Sequence, residues 1–517
     1  MRRLVVAVTA LLVMLGGAVV VSYLLLFSAV ADRAARAAPA DTALYLNVYL
    51  QPSSGQQMNL FGLIGHLPGF GDPATLEEKI DEVAERLLGQ VGIEYGRDVR
   101  PWLGAQIAIA VAPGDAGSTP GVLVLAAVKD ASAARGAVPR VFAATGVTFT
   151  QETFRGQAVM TSDRTSYALL DDLLLVASTP ERLRAALEAD ADRAPSLADA
   201  PRFLAAMRDV ASDHLASLYL DLPAAVGLDG DRLVGGYGTA AVALTAEADG
   251  LHLGGLAPFA AEAASDEARA AFALSAQPST LADWMPRTTS AEVVLFGVAQ
   301  SFADHEASMA SEDAFAPAVD ALNQLRAIAS LGLGINVDRD LLPLLDGETA
   351  LALRSLDAGG PRGQILLRPS DLAAARAALE RMRSALAERG SRVTTEQVAG
   401  TTLTTVVVPQ IGTLAYAVLD GVVVLGLDAD EVGAALEAHA GGETLAEDDR
   451  YLAPFELAGA HAGNELWADL PGLVDALAGI LDPGSELRDI LHEIGELAAS
   501  AAANDDRLEI NGVLTVK

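Results

Sequence analysis

The chain has 517 residues, with 35 basic and 68 acidic side chains, a net charge of −33 and no cysteine. Half of its residues are hydrophobic, so it can bury enough apolar surface to fold, which excludes a fully disordered chain. The missing cysteine excludes disulfide scaffolds, zinc–thiolate and iron–sulfur sites, thiol enzymes and cysteine-anchored lipoproteins. The acidic balance, with lysine only at Lys79, Lys129 and Lys517, argues against nucleic-acid binding.

The first predicted element is an apolar segment, Leu4–Val30, which contains no charged side chain. It is longer than the about 20 residues that a helix needs to cross a bilayer, and longer than the apolar core of about 7–15 residues of a secretory signal. Its length therefore favours a membrane-spanning helix. A cleaved signal is the alternative, with small residues at Ala29–Ala31 or Ala37–Ala38 as cleavage sites.

The charges around this segment bear on its orientation. Arg2 and Arg3 precede it, Arg33 and Arg36 follow it, and the N-terminal amine tips this balance towards a cytoplasmic N-terminus. No second uncharged apolar stretch of this kind follows. We therefore predict a single-pass protein of the cell membrane whose C-terminal domains are extracytoplasmic.

The remaining chain contains one pattern twice, in the same order. Arg97–Leu103 recurs as Arg339–Leu345 (339 − 97 = 242), and Tyr167–Asp171 recurs as Tyr416–Asp420 (416 − 167 = 249). The nearly constant offset indicates an internal duplication with loop insertions. The predicted domains are an anchor and juxtamembrane segment at 1–37, a first repeat at 38–259, a connector at 260–284 and a second repeat at 285–517.

The first strands of each copy have one bulky and one small face. Ile107 and Ile109 alternate with alanines, as do Leu351 and Leu353, so a helix can approach the alanine side closely. Two strands are then predicted around Gly156, and two around Gly400. Successive strands with short turns favour antiparallel pairing.

Helices are predicted from capping signals. Thr179–Glu181 starts one with proline at the first position, and Asp428–Glu431 starts its counterpart with a variant of the capping box. Ser370 is the predicted cap of a helix that ends at Gly390, whereas residues 131–144 contain Gly136 and Pro139 and are predicted to be bent or broken. The predicted fold is α+β, with two tandem homologous repeats, each a mostly antiparallel sheet with helices packed on one face.

Three motifs carry a resemblance to a known family, namely Ala38–Tyr45, Leu67–Phe70 and Asp98–Gly104. With them the chain resembles an uncharacterised family of bacterial envelope proteins, known only as a domain of unknown function (number 3352). The resemblance spans most of the exported part and implies a membrane-tethered, exported protein, without supplying a catalytic residue. The second copy departs from the third motif, with Leu344 in place of Trp102 and Asp346 in place of Gly104.

No motif of a known reaction is present: the chain has no nucleophile elbow, phosphate loop or dinucleotide fingerprint. His492–Glu496 matches half of a metalloprotease motif, with Glu496 where a second histidine would stand. Asp190–Asp192 and Asp229–Asp231 lack the further oxygen ligands of a calcium loop. We therefore predict no catalytic residue, no cofactor and no metal site.

Two carboxylate pairs recur across the copies, Asp171 with Asp420 and Asp221 with Asp469. Paired carboxylates can perform acid–base chemistry. The first pair lies between two apolar strands, where aspartate is a good turn former, and the second precedes Leu-Pro at a strand end, so a structural role is favoured for both.

Four residues are candidates for apolar contacts with lipid, ligand or partner. Met58, Phe61 and Ile64 lie in an apolar stretch shortly after the predicted membrane exit, and Trp102 follows Pro101. Packing in the domain core is the favoured role for all four, and contact with lipid, ligand or partner is the alternative.

These observations predict a non-catalytic binding or scaffolding module of the cell envelope, which contacts the membrane through its N-terminal helix and a protein partner or apolar ligand through its exported part. The alternative is a carrier of a lipid or other apolar ligand. A hydrolase of unrecognised type, using Asp or Glu, is the third hypothesis.

Overall fold

A computed structural model describes most of the chain after residue 31. The described residues are 32–67, 85, 93–113, 120–144, 146–225, 233–310, 323–324, 326–327, 329–357, 360–409, 412–460, 462–477 and 492–517. No helix within these ranges combines the length and the apolar character needed to cross a membrane. The predicted anchor, from Leu4 to Val30, lies outside the described residues.

The chain divides into two units, one made of Met1–Arg232 with Tyr237–Pro258 and the other of Leu233–Gly236 with Phe259–Lys517. The strands of the first unit are β1 Leu44–Tyr49, β2 Leu103–Ala112, β3 Gly121–Val128, β4 Thr150–Phe154, β5 Gln157–Thr161, β6 Ser166–Leu169, β7 Leu173–Ala177, β8 Ala216–Asp221, β9 Thr239–Ala246 and β10 Gly250–Pro258. Their order is β10-β9-β8-β1-β2-β3-β7-β6-β5-β4, with every neighbouring pair antiparallel.

The second unit has a sheet of the same kind. Its strands are β11 Ala291–Phe296, β12 Glu348–Asp357, β13 Gly360–Arg368, β14 Arg392–Val398, β15 Thr401–Val408, β16 Gly412–Leu419, β17 Val422–Gly426, β18 Asn464–Asp469, β19 Ile494–Asn504 and β20 Arg507–Val516. Their order is β20-β19-β18-β11-β12-β13-β17-β16-β15-β14, again antiparallel throughout. The predicted α+β class and antiparallel pairing are confirmed.

Helices connect these strands. In the first unit they are α1 Arg33–Ala37, α2 Ser54–Gly65, α3 Tyr95–Asp98, α4 Ala131–Ala144, α5 Pro180–Asp190, α6 Pro201–Met207 and α7 Leu222–Ala225. In the second unit they are α8 Asp266–Leu274, α9 Val298–Ala310, α10 Leu372–Glu388, α11 Ala429–His439, α12 Asp449–Ala458 and α13 Leu470–Leu477. Short 3₁₀ turns lie at Leu197–Asp199, Ala261–Ala263, Ala282–Trp284, Leu342–Leu344 and Leu445–Glu447, and π-helical turns at Ala329–Leu333 and Val337–Leu341.

Helices cover both faces of each sheet, which corrects the prediction of a single covered face. In the first unit, Leu123 and Leu125 of β3 pack in a core with α5, while Ala126 and Val128 of the same strand pack in another core with α4. The second unit divides in the same way, with α11 in the core around Leu366 and α10 in the core around Leu367. Strands that are apolar at successive positions have two faces to bury, so each needs two covering layers.

The alanine face of β2 lies against α1, as the alternating pattern predicts. Ala108 and Ala110 are buried beside Ala34 and Ala37 of this helix, and the small side chains allow the close approach. Helix α1 falls within the segment 1–37 that the sequence assigns to the anchor and its juxtamembrane stretch. It belongs to the core of the first unit.

The starts of α5 and α11 are confirmed. The Thr179 hydroxyl accepts a hydrogen bond from the Arg182 amide, and the Asp428 carboxylate accepts one from the Glu431 amide. The capping box itself does not close, because the buried Glu431 side chain binds the Arg362 guanidinium at 2.8 Å instead.

One predicted helix cap is wrong by one residue, and one helix predicted to be bent or broken is not broken. Asp371, and not Ser370, caps α10, because the Asp371 carboxylate accepts a hydrogen bond from the Ala374 amide. Pro139 does not break α4, which runs through it. The buried Ala134 and Val138 pack this helix on the sheet, and such packing can outweigh the one internal hydrogen bond that proline removes.

Candidate functional site

The four residues singled out for apolar contacts do not form one surface. On α2, Met58 is 72% exposed, while Phe61 and Ile64 are half-buried. Trp102 is only 6% exposed and lies in the core beside α3, where its indole N–H donates to the carbonyl oxygen of Asp98 at 2.6 Å. The predicted membrane residues Leu4 and Val30 lie outside the described residues.

The recurring aspartates have structural partners. Asp171 pairs with Arg135 at 2.8 Å, and Asp420 lies 3.3 Å from the His439 imidazole. At the strand ends, the Asp221 carboxylate accepts from the Ala224 amide and that of Asp469 accepts from the Gly472 amide. These bonds begin α7 and α13.

The remaining candidates from the sequence are also accounted for where they are described. His492 lies 2.9 Å from Asp475, and Glu496 binds the Thr515 hydroxyl within the β19–β20 pair. Asp190 pairs with Arg33 at 2.6 Å. Asp229 and Asp231 lie outside the described residues.

The feature that sequence reasoning missed is a group of buried acids in the second unit. We call Glu292, Glu348, Glu465 and Tyr451 the acidic core cluster. Glu292 lies on β11, Glu348 on β12, Glu465 on β18 and Tyr451 on α12, and all four are buried.

The strand register brings these glutamates to one face of the sheet. Glu292 lies opposite Trp467, and Glu465 lies opposite Val294, so Glu292 and Glu465 are diagonal neighbours. Glu348 lies opposite Phe296 on the other side of β11. Val294, Phe296 and Trp467 all belong to the apolar core of this face, so the carboxylates are surrounded by apolar side chains.

The three carboxylates differ in their hydrogen bonds. Glu348 accepts bonds from the hydroxyls of Ser279 and Thr280 and from the backbone amides of Thr280 and Leu281, at 2.7 to 3.3 Å. Glu465 accepts from the Tyr451 hydroxyl at 3.2 Å. Neither oxygen of Glu292 has a partner of hydrogen-bonding geometry, although Tyr451 is close enough to influence its titration.

Burial changes the titration of this cluster. It raises the pKa of Glu292 to about 8, and the nearby charge of Glu465 adds to the rise. Burial likewise raises the pKa of Glu465 to about 7, against the hydrogen bond from Tyr451, which lowers it. The Tyr451 phenol has a strongly raised pKa through burial and the charges of both glutamates. Glu292 is therefore mostly protonated near neutral pH.

This arrangement can hold protons, and its acidic groups are buried. A general acid or base must come within hydrogen-bonding distance of its substrate, directly or through one water. Glu292 is 1% exposed in the core. One signal in the sequence could have indicated the cluster: Glu292 and Glu465 each stand at an inward position of an otherwise apolar strand segment.

The family model described as a protein of unknown function, DUF3352, matches residues 4–511. The chain belongs to this family. No curated protein matches the sequence. Among solved structures, the DUF3352 chain is similar to three crystal forms of TP0453. Form III is 11% identical, with coverage of 44% of this chain and 80% of that chain and a TM-score of 0.25. Forms IV and I are 12% identical, with 43% of this chain and 79% and 77% of those chains covered, and TM-scores of 0.25 and 0.24.

The first unit of the DUF3352 chain has different residues at the matching register positions. Tyr45 lies opposite Tyr219, as Glu292 lies opposite Trp467, and Gln106 lies opposite Tyr49, as Glu348 lies opposite Phe296. Ser217 of the first unit lies at the position that Glu465 has in the second unit. The first unit therefore has aromatic or neutral polar residues where the second has carboxylates.

In the first unit, Asp32 contacts two of these residues, Tyr45 and Gln106, and one of its carboxylate oxygens accepts three hydrogen bonds. Its carboxylate accepts from the Tyr45 hydroxyl at 2.7 Å, from the Gln106 amide at 2.7 Å and from the backbone amide of Ala35 at 2.9 Å. Asp32 thus has the donors that Glu292 lacks.

The opposite face of the same strands in the second unit carries exposed apolar side chains. Leu466, Val293, Leu351 and Ile365 form one row across β18, β11, β12 and β13, and Leu295 extends it along β11. We call these five residues the apolar row. All but the half-buried Val293 are 39 to 46% exposed. In the first unit the matching residues, Leu218, Leu46, Ile109 and Val124, are all half-buried.

One group of side chains in the described part of the chain has metal-ligand spacing. Ligand atoms of Glu247, Asp249 and His252 lie within 4.8 Å of one another at the β9–β10 turn. Glu247 and Asp249 are exposed, and Asp249 already binds the His252 imidazole at 2.8 Å. Calcium takes six to eight oxygen ligands, more than these side chains offer. We therefore assign no metal to this turn.

Proposed function

We propose that this DUF3352 chain is a non-catalytic binding or scaffolding module of the cell envelope, held in the membrane by Leu4–Val30. The observation that carries the proposal is the burial of the acidic core cluster. Its carboxylates are buried in an apolar core, which supports a role other than direct contact with a substrate. The length and uncharged composition of Leu4–Val30 support the tether.

The two units, in this proposal, are tandem homologous repeats. Their identical strand orders support a duplication, and so do two isolated bridges at matching places, Pro39 with Ser196 and Pro286 with Thr444. A duplicated module with a different surface on each copy is suited to contacting two parts of an assembly. The repeats would stand on the extracytoplasmic side.

The binding surface that we assign to this function is the apolar row. Exposed apolar side chains that adjoin one another mark interaction sites more often than isolated ones do. In the apolar row, Leu351 lies opposite Ile365 on the adjacent strand, and Val293 of β11 lies between Leu351 and Leu466. The acidic surface around the units disfavours contact with anionic lipid headgroups.

Site-specific photocrosslinking in intact cells tests this function. A photoreactive residue replaces Leu351 in the apolar row, and the matched control places it at Leu452, an exposed leucine of α12 with 40% exposure. We expect a protein adduct from position 351 and none from position 452. The absence of any adduct at 351, together with a hydrolytic activity that Glu292→Gln abolishes, would refute the proposal.

A second candidate function, transport of an apolar ligand, is favoured by the same row. Four side chains of the row are pure hydrocarbon surface, exposed on a sheet face, and acyl chains bind to such surfaces. Native mass spectrometry of the full chain in detergent distinguishes the two functions. A bound lipid that is lost with Leu351→Asp but kept with Leu452→Asp favours the carrier, whereas a ligand-free protein argues against it.

A further inference from the structure

The acidic core cluster lies in a place where ionisation is costly. Glu292 is 1% exposed, neither of its carboxylate oxygens has a hydrogen-bond donor in bonding geometry, and Val294 and Trp467 beside it are apolar. A buried charge without a partner is strongly disfavoured, whereas the protonated acid is neutral and can itself donate a hydrogen bond. The geometry therefore favours the protonated state.

We propose that the acidic core cluster is a proton-binding switch. While the cluster is protonated, the core of the second unit stays tightly packed, and when the protons leave, that core loosens. The first unit, with Tyr45 in the place of Glu292, does not respond. This switch is independent of what the protein binds.

The groups that face Glu292 do not compensate its charge. Glu465 and Glu348 are acids on the neighbouring strands β18 and β12, and Tyr451 on α12 can donate only one proton, which goes to Glu465. On β13, the Nε of Arg368 lies 3.7 Å from Glu348. Arg368 thus neutralises Glu348, the acid that also has the most hydrogen bonds.

Other charged groups on the packed elements are engaged elsewhere. On α12, Arg450 binds Asp448 at 2.6 Å and Asp469 at 2.8 Å. On α11, Glu431 binds Arg362, and His439 stacks on Trp284. Asp283, in the 3₁₀ turn before β11, points to solvent.

The sign of the effect follows from linkage. The pKa of Glu292 is about 8 and that of Glu465 about 7 in the folded protein, both above the usual value of 4.5. The folded state then binds more protons than the unfolded state between these values. The contribution of the two protonated glutamates to the free energy of unfolding is fully present below about pH 4.5. It falls as the pH rises and is lost above about pH 8. Each such proton changes the opening equilibrium by up to about tenfold per pH unit.

Hydrogen–deuterium exchange of the full chain tests the switch, because it reports each strand separately. Rates are compared at about pH 6 and about pH 9 after correction for the chemical exchange rate. We expect peptides from β11, β12 and β18 to open at least about tenfold more at the higher pH, and those from β1, β2 and β8 to stay unchanged.

Glu292→Gln keeps the shape of the protonated acid but cannot ionise, so it should remove most of the pH response. Glu437→Gln, at an exposed position of α11, is the matched control and should respond like the wild type. An unchanged response in Glu292→Gln, or an equal response in the first unit, would overturn the proposal.

A second measurement needs no variant. Infrared spectroscopy of the wild-type chain should show the C=O band of a protonated carboxyl group at about pH 6 that disappears by about pH 9. If the band is absent at the lower pH, the proposal fails even where Glu292→Gln does not fold.

Discussion

The two units share the strand order and register of their sheets, yet they differ at the centre of their cores. Where the first unit has Tyr45 and Ser217, the second has Glu292 and Glu465. The neighbouring apolar positions hold the same kind of residue in both units. For example, Ala110 lies opposite Tyr45, and Ala352 lies opposite Glu292. Apolar alternation is thus enough to maintain the sheet, and the inward polar positions are free to carry different chemistry.

One polar position has the same role in both units with different chemistry. The Gln106 carbonyl oxygen accepts from the backbone amides of Arg33 and Ala34, and the Glu348 carboxylate accepts from those of Thr280 and Leu281. Each bond set fixes the segment that enters the core before the first strand. A neutral amide suffices in one unit, whereas a charged group is used in the other.

The largest expected effect tests this difference in charge. Glu348→Ala leaves several buried donors and Arg368 without an acceptor, and should lower the free energy of unfolding by about 3–5 kcal/mol. Gln106→Ala removes a neutral side chain with its bonds to two backbone amides and to Asp32, and should lower the free energy of unfolding by about 1–3 kcal/mol. Urea unfolding, followed by Trp284 and Trp467 for the second unit and Trp102 for the first, measures both. Equal costs would contradict the comparison.

A smaller effect concerns the corner before the second strand of each unit. Trp102→Leu gives the first unit the residue type that Leu344 has in the second. It should lower the free energy of unfolding by about 2–3 kcal/mol, because it leaves a cavity and removes the hydrogen bond to Asp98. The reverse change, Leu344→Trp, should cost about 1–3 kcal/mol by overpacking. Circular dichroism in urea measures both changes, and a Trp102→Leu protein as stable as wild type would show that the corner tolerates either residue.

The helix caps should differ little between the units. Asp428→Ala and Thr179→Ala each remove one side-chain acceptor at a helix start and should each cost about 1 kcal/mol. Thermal unfolding of the single variants checks this, with Asp428→Asn and Thr179→Ser as controls that keep an acceptor. A loss several times larger in one unit would show that its cap supports more than the helix.

The smallest expected effect lies on α2. Met58→Ala should change the free energy of unfolding by less than about 0.5 kcal/mol, because Met58 is exposed. In contrast, Leu60→Ala on the buried side of α2 should lower the free energy of unfolding by about 2–5 kcal/mol. Denaturant titration of both variants compares the two faces, and a large loss from Met58→Ala would reveal a contact of this side chain.

Much of the fold could be predicted where the signal was local. The caps at Thr179 and Asp428 and the hairpins at Gly156 and Gly400 depend on residues adjacent in sequence, and the structure confirms them. In the second hairpin, Ala399 and Gly400 both have positive φ, as a tight two-residue turn requires. The cap of α10 was misplaced by one residue because Ser370 and Asp371 are both acceptable caps.

The candidate site could not be predicted in the same way. Glu292, Glu348 and Glu465 are far apart in the chain, and a single glutamate in a strand most often faces solvent. Only pairing β11 between β12 and β18 brings the three to one face. The apolar residues around Glu292 and Glu465 mark those two as possible inward positions, but only the register shows that they meet and that Glu348 joins them.

The sequence alone determined the alternation that makes strands, the capping residues that begin helices and the uncharged length of Leu4–Val30, because each depends on neighbouring residues. Tertiary structure alone decided that helices cover both sheet faces and that three distant carboxylates share one closed core. Those outcomes depend on which strands pair and which face each side chain then meets. That pairing is a long-range choice, and it places Glu292 and Glu465 in an apolar core where burial raises the pKa of each.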